Sequence, residues 1–408
     1  MTLALTSAGA PDISPNHFWK LTAAERSPIW AELRANHPVS LQPGPQESLI
    51  PSRPFWAVTR HADVQHVSRN ADVFCSGQGV GISDIPVEFL ELTSSFLVMD
   101  APRHTKMRRI VSGAFTPRRV AALDEAITAE AHRNVDRFVE AGGGDVVEGL
   151  SKHLPLWAIS TMMGVPESMR AEMYEAAEGL ITIQDSEFVS NPEEALTLGM
   201  QCSEEIHRIA AELVVMKSAD PTDDVLSVLV NAEVDGDKLT EQELGAIFML
   251  FAVAGNDTTR NSTSHGIRLF AEHPDQWDRL RAEPDLLPSA MEEVVRVASP
   301  VIHFRRTTTV DTELAGVAIP AGDPVVMFYE SANQDESVFE DPLRFDVGRS
   351  PNHHAGFGGG GPHFCLGANL ARTELKATFG RLAEKVAGFE VGPADYLTSS
   401  FIHGIKRM

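Results

Sequence analysis

A chain of 408 residues that is 43% hydrophobic and 22% charged has the composition of an ordinary globular protein, and its length lets it bury roughly three quarters of its unfolded surface. A net charge of −23 argues against nucleic acid or an anionic membrane surface as a partner, since both would repel it. Three scattered cysteines, Cys75, Cys202 and Cys365, fit a reducing compartment. The opening MTLALTSAGAP lacks the basic and long apolar segments of a secretory signal. The longest apolar run, Ala246–Ala254, falls far short of the ~20 residues a membrane helix needs. A cytoplasmic protein without stable membrane insertion is expected.

In chain order, the first ~15 residues are expected to be poorly ordered, and the Pro-rich stretch 38–54 reads as surface loop. Phe55–Thr59 reads as a strand, and residues 117–298 are mostly helical in pattern. Within them Thr240 and Glu243 form a capping-box signature. Leu244, Ile247, Phe248 and Phe251 then follow at helical spacing, and nothing breaks the run until His273-Pro274. Roughly 30 residues at ~1.5 Å each would cross a whole domain. This helix is apolar on most sides in its first half, so it is predicted to be central. Strand-like pieces at Val301–Arg306, Val317–Ile319 and Pro324–Phe328 are followed by a helix after Cys365. The predicted fold is mainly α with a small β portion, a long central helix and one domain over 1–408.

The middle of the central helix carries Ala254-Gly-Asn-Asp257-Thr258-Thr259. Polar side chains in an apolar helix must find partners or pay for desolvation. One reading is a local opening of the helix beside a ligand, with Asp257 and Thr258 managing protons. The other is a kink satisfied by Thr hydroxyls bonding back to carbonyls.

The segment Phe357-Gly-Gly-Gly-Gly-Pro-His363-Phe-Cys365-Leu-Gly367-Ala-Asn-Leu-Ala-Arg372 is the most informative one. Four glycines allow the backbone to approach something flat and large, and no Gly-Lys-Ser/Thr follows to make a phosphate loop. Cys365 lies at or just before a helix N-terminus, where the dipole and free N–H groups lower a thiol pKa. A thiolate there suits an axial ligand to haem. Zinc held by His353, His354, His363 and Cys365 is the rival, with irregular spacing and no role for the glycines.

Two further patterns are weaker. Glu293 and Arg296 stand at i, i+3, which alone suggests an exposed ion pair. Arg103, Lys106, Arg108, Arg109, Arg118 and Arg119 crowd a stretch free of acids, with His104 and Arg108 on one helix face. Such bases can pair with cofactor carboxylates or face an acidic protein.

Together these residues resemble the cytochrome P-450 family, the haem-thiolate monooxygenases, over nearly the whole chain. Ala254–Thr258 matches the family's oxygen-activation motif, Glu293/Arg296 its Glu-x-x-Arg motif, and Phe357–Arg372 its cysteine loop. Within the family the likeness is to actinobacterial enzymes that hydroxylate methyl-branched lipids, terpenoids and sterol side chains. It is carried by Phe74–Gly77, Val98–Asp100, Arg103-His104, Asn256–Asn261 and Phe401–Lys406. Phe357 and Cys365 are eight apart where the general pattern has seven, as in that group; Asp257 stands where the group more often has Glu.

The resemblance implies haem b as cofactor, with Cys365 on the iron. Phe357, Gly367 and Ala254 would lie beside the haem, and His104, Arg108, Arg306 and His363 would hold its propionates. It implies Asp257 and Thr258 as the proton-delivering pair, and Arg344 as the third member of a structural triad with Glu293 and Arg296. It implies a ferredoxin and a ferredoxin reductase as electron source, and a monomeric enzyme. The apolar pocket is expected to draw on Phe96, Val98, Met99, Leu250, Ala254, Val301, Ile302, Phe401 and Ile402, with Phe89, Leu92, Leu97 and Phe304 as further candidates. His303 is the candidate polar contact. A haem protein that binds or senses ligands without turnover is the non-enzyme alternative.

Overall fold

The structure, a computed structural model, describes residues 3–45, 50, 52–84, 95–114, 117–234 and 237–408. Of the expected residues, Phe89 and Leu92 lie outside it, as do the side chains of Arg118 and Arg119. The chain is 54% helical, and its sheets are small. Among the described residues no helix is long and apolar enough to cross a membrane.

The fold is organised around the helix Glu241–Glu272. Its N-terminus is closed as the sequence predicts: the Thr240 hydroxyl accepts from the Glu243 N–H, and the Glu243 carboxylate accepts from the Thr240 N–H. Its C-terminus is set by Pro274, which opens the next helix. The helices Pro192–Ala219, His153–Met163, Glu167–Thr182, Leu287–Ala298 and Ala368–Lys385 pack around it. Close approach explains two of its glycines. A Cβ on Gly255 would sit 3.0 Å from Ile159 Cδ1, and one on Gly266 would overlap the Phe379 ring. The helix is continuous through 254–259, so the expected local opening is absent. The Thr258 hydroxyl instead donates to the Ala254 carbonyl at 2.8 Å, and Ser262 and Thr263 repeat the pattern one turn on.

A five-stranded sheet flanks the helical body, in the spatial order Val39–Gln42, Phe55–Val58, Pro324–Phe328, His303–Thr308, Phe74–Cys75. Pro324–Phe328 is buried along its whole length because it is central, pairing parallel with Phe55–Val58 and antiparallel with His303–Thr308. Val301 lies outside the strand, in an isolated bridge to Ile402, and Val317–Ile319 pairs in a separate hairpin with Thr312–Leu314. Val39–Gln42 and Phe74–Cys75 are too short, and the first too close to prolines, to stand out in the sequence. Within residues 3–15 Leu5 bridges Pro11, and Ala10 and Ile13 are fully buried with Phe18, Trp30 and Phe328.

Glu293 is the buried centre of a polar network, not half of an exposed pair. Its carboxylate takes two bonds from Arg296 at 2.8 Å, one from Arg349 Nε at 3.0 Å, one from Asn352 at 3.0 Å and one from the Asp346 N–H at 3.1 Å. Arg296 also reaches the carbonyls of Asn333 and Pro342. The expected third member, Arg344, is displaced by Arg349. The Arg344 side chain is exposed, and only its backbone carbonyl joins the network. A five-residue shift within an irregular turn moves a side chain from solvent to core, which spacing alone does not reveal.

Breaking a buried charge pair costs about 3–5 kcal/mol, because the remaining charge stays buried and unpaired. Glu293→Ala and Arg349→Ala should each lose stability on that scale in urea unfolding. Arg344→Ala should change it by less than about 0.5 kcal/mol. An Arg344→Ala loss equal to that of Arg349→Ala would return Arg344 to the network.

Candidate active site

The loop before the helix Ala368–Lys385 is closed by the Cys365 N–H donating to the Phe357 carbonyl at 3.0 Å. Most of its glycines serve packing against the helix His61–Arg69. A Cβ on Gly359 would meet Ser68 and the Val64 carbonyl, and Ser68 Oγ donates to the Gly360 carbonyl at 2.7 Å. Gly358, Gly360 and Gly361 also hold positive φ, +96°, +90° and +76°, which needs glycine's freedom, and Gly358 borders a cavity of about 200 Å³.

Cys365, Leu366, Phe357 and Gly358 form part of this cavity's wall, and Ala254, Gly255 and Thr258 of the central helix another part. Cys365 and Ala254 are exposed although both belong to the body of the fold, and the space they face is this cavity. Although its surface opens into the cavity, desolvation by the protein packed around it raises the Cys365 thiol, against the lowering by the N–H groups of Gly367 and Ala368 and by Arg108 and Arg372. The helix-terminus effect expected from sequence is present but is the smaller one, and a thiolate here needs a further positive partner. Among the described residues no set of three His, Cys, Asp or Glu side chains could hold a metal, which removes the zinc reading.

Arg108 and His363 line the cavity. His104 stacks on His363 with ring centroids 4.1 Å apart, and its Nε2 is buried without a partner. Arg306 is 2% exposed, and among the described residues its guanidinium donates only to the Arg305 carbonyl. Burial, then Arg306, His104 and Arg108, push His363 down to about 2. The one carboxylate acting on His104 and Arg306 is Asp100, itself tied to the N–H groups of Ser76 and Gly77. Two guanidiniums, Arg108 and Arg306, with so little counter-charge and beside imidazoles whose protonation burial disfavours, are what a large group carrying two carboxylates would complete.

Asp257 is 1% exposed and does not line the cavity. Burial raises its pKa to about 6, against the lowering by Arg260, whose Nη2 lies 2.6 Å from Oδ1. Arg260 continues to Tyr174 and to Glu178, whose side chain is 38% exposed. Asp257 therefore sits between the cavity-lining Thr258 and a polar path to the surface. Arg260 was missed in the sequence, although its i+3 position from Asp257 is a usable signal.

Of the expected apolar residues, Phe96, Leu250, Ala254 and Val301 line the cavity, as do Leu97 and Phe304. Val98, Met99, Ile302, Phe401 and Ile402 do not. Ile302 follows the wall residue Val301, so it turns the opposite way and packs on Phe18, Trp30 and Phe328. Phe401 and Ile402 pack against Val301 and Val253, behind the wall. His303 donates to or accepts from no wall residue; its Nδ1 meets the Ser400 carbonyl at 2.9 Å, and burial lowers its pKa to about 4. Leu366, Leu370, Ala371 and Glu374 were missed, yet they follow one helix face at i, i+4, i+5, i+8 from Leu366.

A family model for Cytochrome P450 matches residues 50–385. A methyl-branched lipid omega-hydroxylase of Mycobacterium tuberculosis is 40% identical over 398 residues, covering 96% of this chain and 92% of the relative. A steroid C26-monooxygenase of Rhodococcus jostii is 40% identical over 392 residues, covering 94% and 81%. A solved Mycobacterium marinum cytochrome P450 in complex with pseudoionone superposes with a TM-score of 0.95 at 44% identity, covering 99% and 98%. With fold, cysteine loop and cavity in agreement, the chain belongs to the cytochrome P450 family, and it is a haem-dependent monooxygenase.

Proposed function

We propose that this protein hydroxylates a methyl-branched lipid or isoprenoid at or near a terminal methyl, using O2. A sterol side chain or another terpenoid is the second substrate class. One observation carries the reading: a single cavity has Cys365, Arg108 and His363 on part of its wall, and Thr258 with apolar side chains on the rest. The lipid omega-hydroxylase and steroid C26-monooxygenase relatives support a chain-end reaction, and the pseudoionone-bound relative supports an isoprenoid. A cytochrome P450 needs a redox partner; here it is a ferredoxin with its reductase, and the exposed Arg109 belongs to the face that meets it. The enzyme is a cytoplasmic monomer, and 1–408 is one haem domain.

Cys365 would hold the iron as thiolate, and Phe357, Gly367 and Ala254 would lie beside the haem. His104, Arg108, Arg306 and His363 would take its propionates, which would supply the missing counter-charge. When bound, the haem supplies oxygen activation and hydrogen removal from the substrate. The chain's own part is positioning and proton control. Because the Thr258 hydroxyl donates to the Ala254 carbonyl, its oxygen is left to accept a bond from water or another donor. Asp257 takes up a proton from the side of Glu178 and passes it inward, while Arg260 stays a cation and holds the Asp257 carboxylate in place. This acid–alcohol pair favours turnover over ligand sensing. Phe96, Leu97, Leu250, Val301 and Phe304 exclude water and hold an apolar chain. A terminal C–H is stronger than an internal one, so selectivity for it is a positioning effect.

Reduced protein with carbon monoxide should show the strongly red-shifted Soret band of thiolate ligation. Cys365→Ala should abolish it, whereas Cys75→Ala and Cys202→Ala should keep it; an unchanged spectrum in Cys365→Ala would sink the assignment.

Thr258→Ala should still bind haem and substrate, but a larger share of the reducing equivalents consumed should end as hydrogen peroxide. Asp257→Asn should slow turnover. Wild-type rates with full coupling in both variants would make the pair structural.

Each extra buried methyl is worth about 0.8 kcal/mol, roughly a fourfold preference. Soret titrations should therefore show branched chains binding more tightly than linear chains of equal length, with mass spectrometry locating the hydroxyl at the chain end. Equal affinity, or products scattered along the chain, would overturn the terminal-methyl reading.

A further inference from the structure

The two adjacent carboxylates of the helix Leu287–Ala298 place their cations differently. The arginines of Glu293 turn away from the cavity. Arg296 lies over the Phe339 ring and donates to the carbonyls of Asn333 and Pro342, and Arg349 donates to those of Glu340 and Asp341. None of these residues is in the cavity wall. Glu292 instead holds Arg372 by two bonds, 2.6 Å from Nε and 2.9 Å from Nη2. That guanidinium lies 4.4 Å from the centroid of the Phe357 ring. Phe357 is a wall residue, and its carbonyl accepts from the Cys365 N–H.

Arg372 itself is absent from the wall, so it meets the cavity from behind, through this ring. The second partner of Glu292 fixes the carboxylate on the far side: His354 Nε2 donates to it at 3.0 Å, while His354 Nδ1 accepts from the Gly356 N–H at 3.0 Å. A brace needs the ion pair but not the ring beneath the guanidinium. The two charges of the pair are therefore unequally placed, with the positive end toward the cysteine loop. Burial raises the Cys365 thiol, and Arg108 and Arg372 are the side-chain cations that lower it; Glu292 is not among its chief influences. Arg108 lines the cavity, where the cofactor's carboxylates would neutralise it, whereas Arg372 stands outside their reach.

We propose that the Glu292–Arg372 pair tunes the electron-donating strength of the Cys365 thiolate, and with it the haem reduction potential, through the charge that Arg372 presents behind Phe357. A cation near the thiolate holds back part of the electron density it would give to iron, and it favours the state that has gained an electron. Glu292 offsets part of that charge. Neither residue touches substrate or the reacting atoms, so both are positioning residues that act through the thiolate. The inference rests on Cys365 as the axial ligand, so its tests use holoenzyme that shows the thiolate–carbon monoxide spectrum; a protein without that spectrum fails the earlier reading, not this one.

Spectroelectrochemical titration should place the reduction potential of Arg372→Gln below that of the wild type, because a cation is lost. That of Glu292→Gln should lie above it, because the cation loses its counter-charge. Arg372→Lys, which keeps the charge, should stay closer to the wild type than Arg372→Gln does. The C–O stretch of the reduced carbon monoxide complex should move with the potential. It should fall in Arg372→Gln, as the thiolate pushes more density through iron, and rise in Glu292→Gln. A loop merely loosened by loss of the brace would shift both variants in one direction, so opposite signs separate tuning from bracing. Shifts of the same sign in Arg372→Gln and Glu292→Gln, or no shift in either, overturn the proposal. If Glu292→Gln fails to take up haem, Arg372→Lys against Arg372→Gln still decides, and equal potentials in those two overturn it.

Discussion

Two adjacent carboxylates on the helix Leu287–Ala298 hold the segment that carries Cys365. Glu293 gathers Arg296, Arg349, Asn352 and the Asp346 N–H, which ties down the irregular stretch before the glycine loop. Glu292 reaches past it to His354 at 3.0 Å and to Arg372 at 2.6 Å, bracing the loop's start and the helix after it. Burial pushes Glu292 up, but Arg372 and His354 hold it at about 2, so the brace stays charged at any physiological pH. Arg372 also lies over the Phe357 ring, 4.4 Å from its centroid. A loop of four glycines has little stiffness of its own. Its shape is imposed from outside, by these ions and by the helix His61–Arg69.

The rest of the cavity is built on opposed desolvation costs. On the side of His104, Arg108, Arg306 and His363, burial gathers basic groups with too few anions, an arrangement poised for an acidic cofactor. Beside Thr258, burial raises Asp257 to about 6, which suits a group that takes up and gives protons near neutrality. The same effect of a low-dielectric interior thus selects an anion site in one place and proton donors in another. The surplus of surface acids, seen in the net charge of −23, has no part in this.

Apolar residues finish the design. Phe96 and Phe251 meet with centroids 6.1 Å apart, and Val301 and Phe304 close the wall from the sheet side. Behind them Ile181, Ile402 and Phe401 form a second layer. That layer shapes the wall without touching the cavity, so changes there would act through the first layer's positions.

The sequence by itself determined much of this protein. The capping box and apolar spacing located the central helix, and the cysteine loop with Ala254–Thr258 identified the family chemistry, because those signals are local and depend on neighbours within one or two turns. Helical spacing from Leu366 also held the clue to Glu374, had it been followed. Only the tertiary structure decided the rest: that Arg349 and not Arg344 completes the Glu293 network, that Ile302, Phe401 and Ile402 stand off the cavity, that the central helix runs unbroken, and that Glu374 lines the cavity. Each of these depends on which face of an irregular segment turns inward, and that is set by packing between residues far apart in the chain.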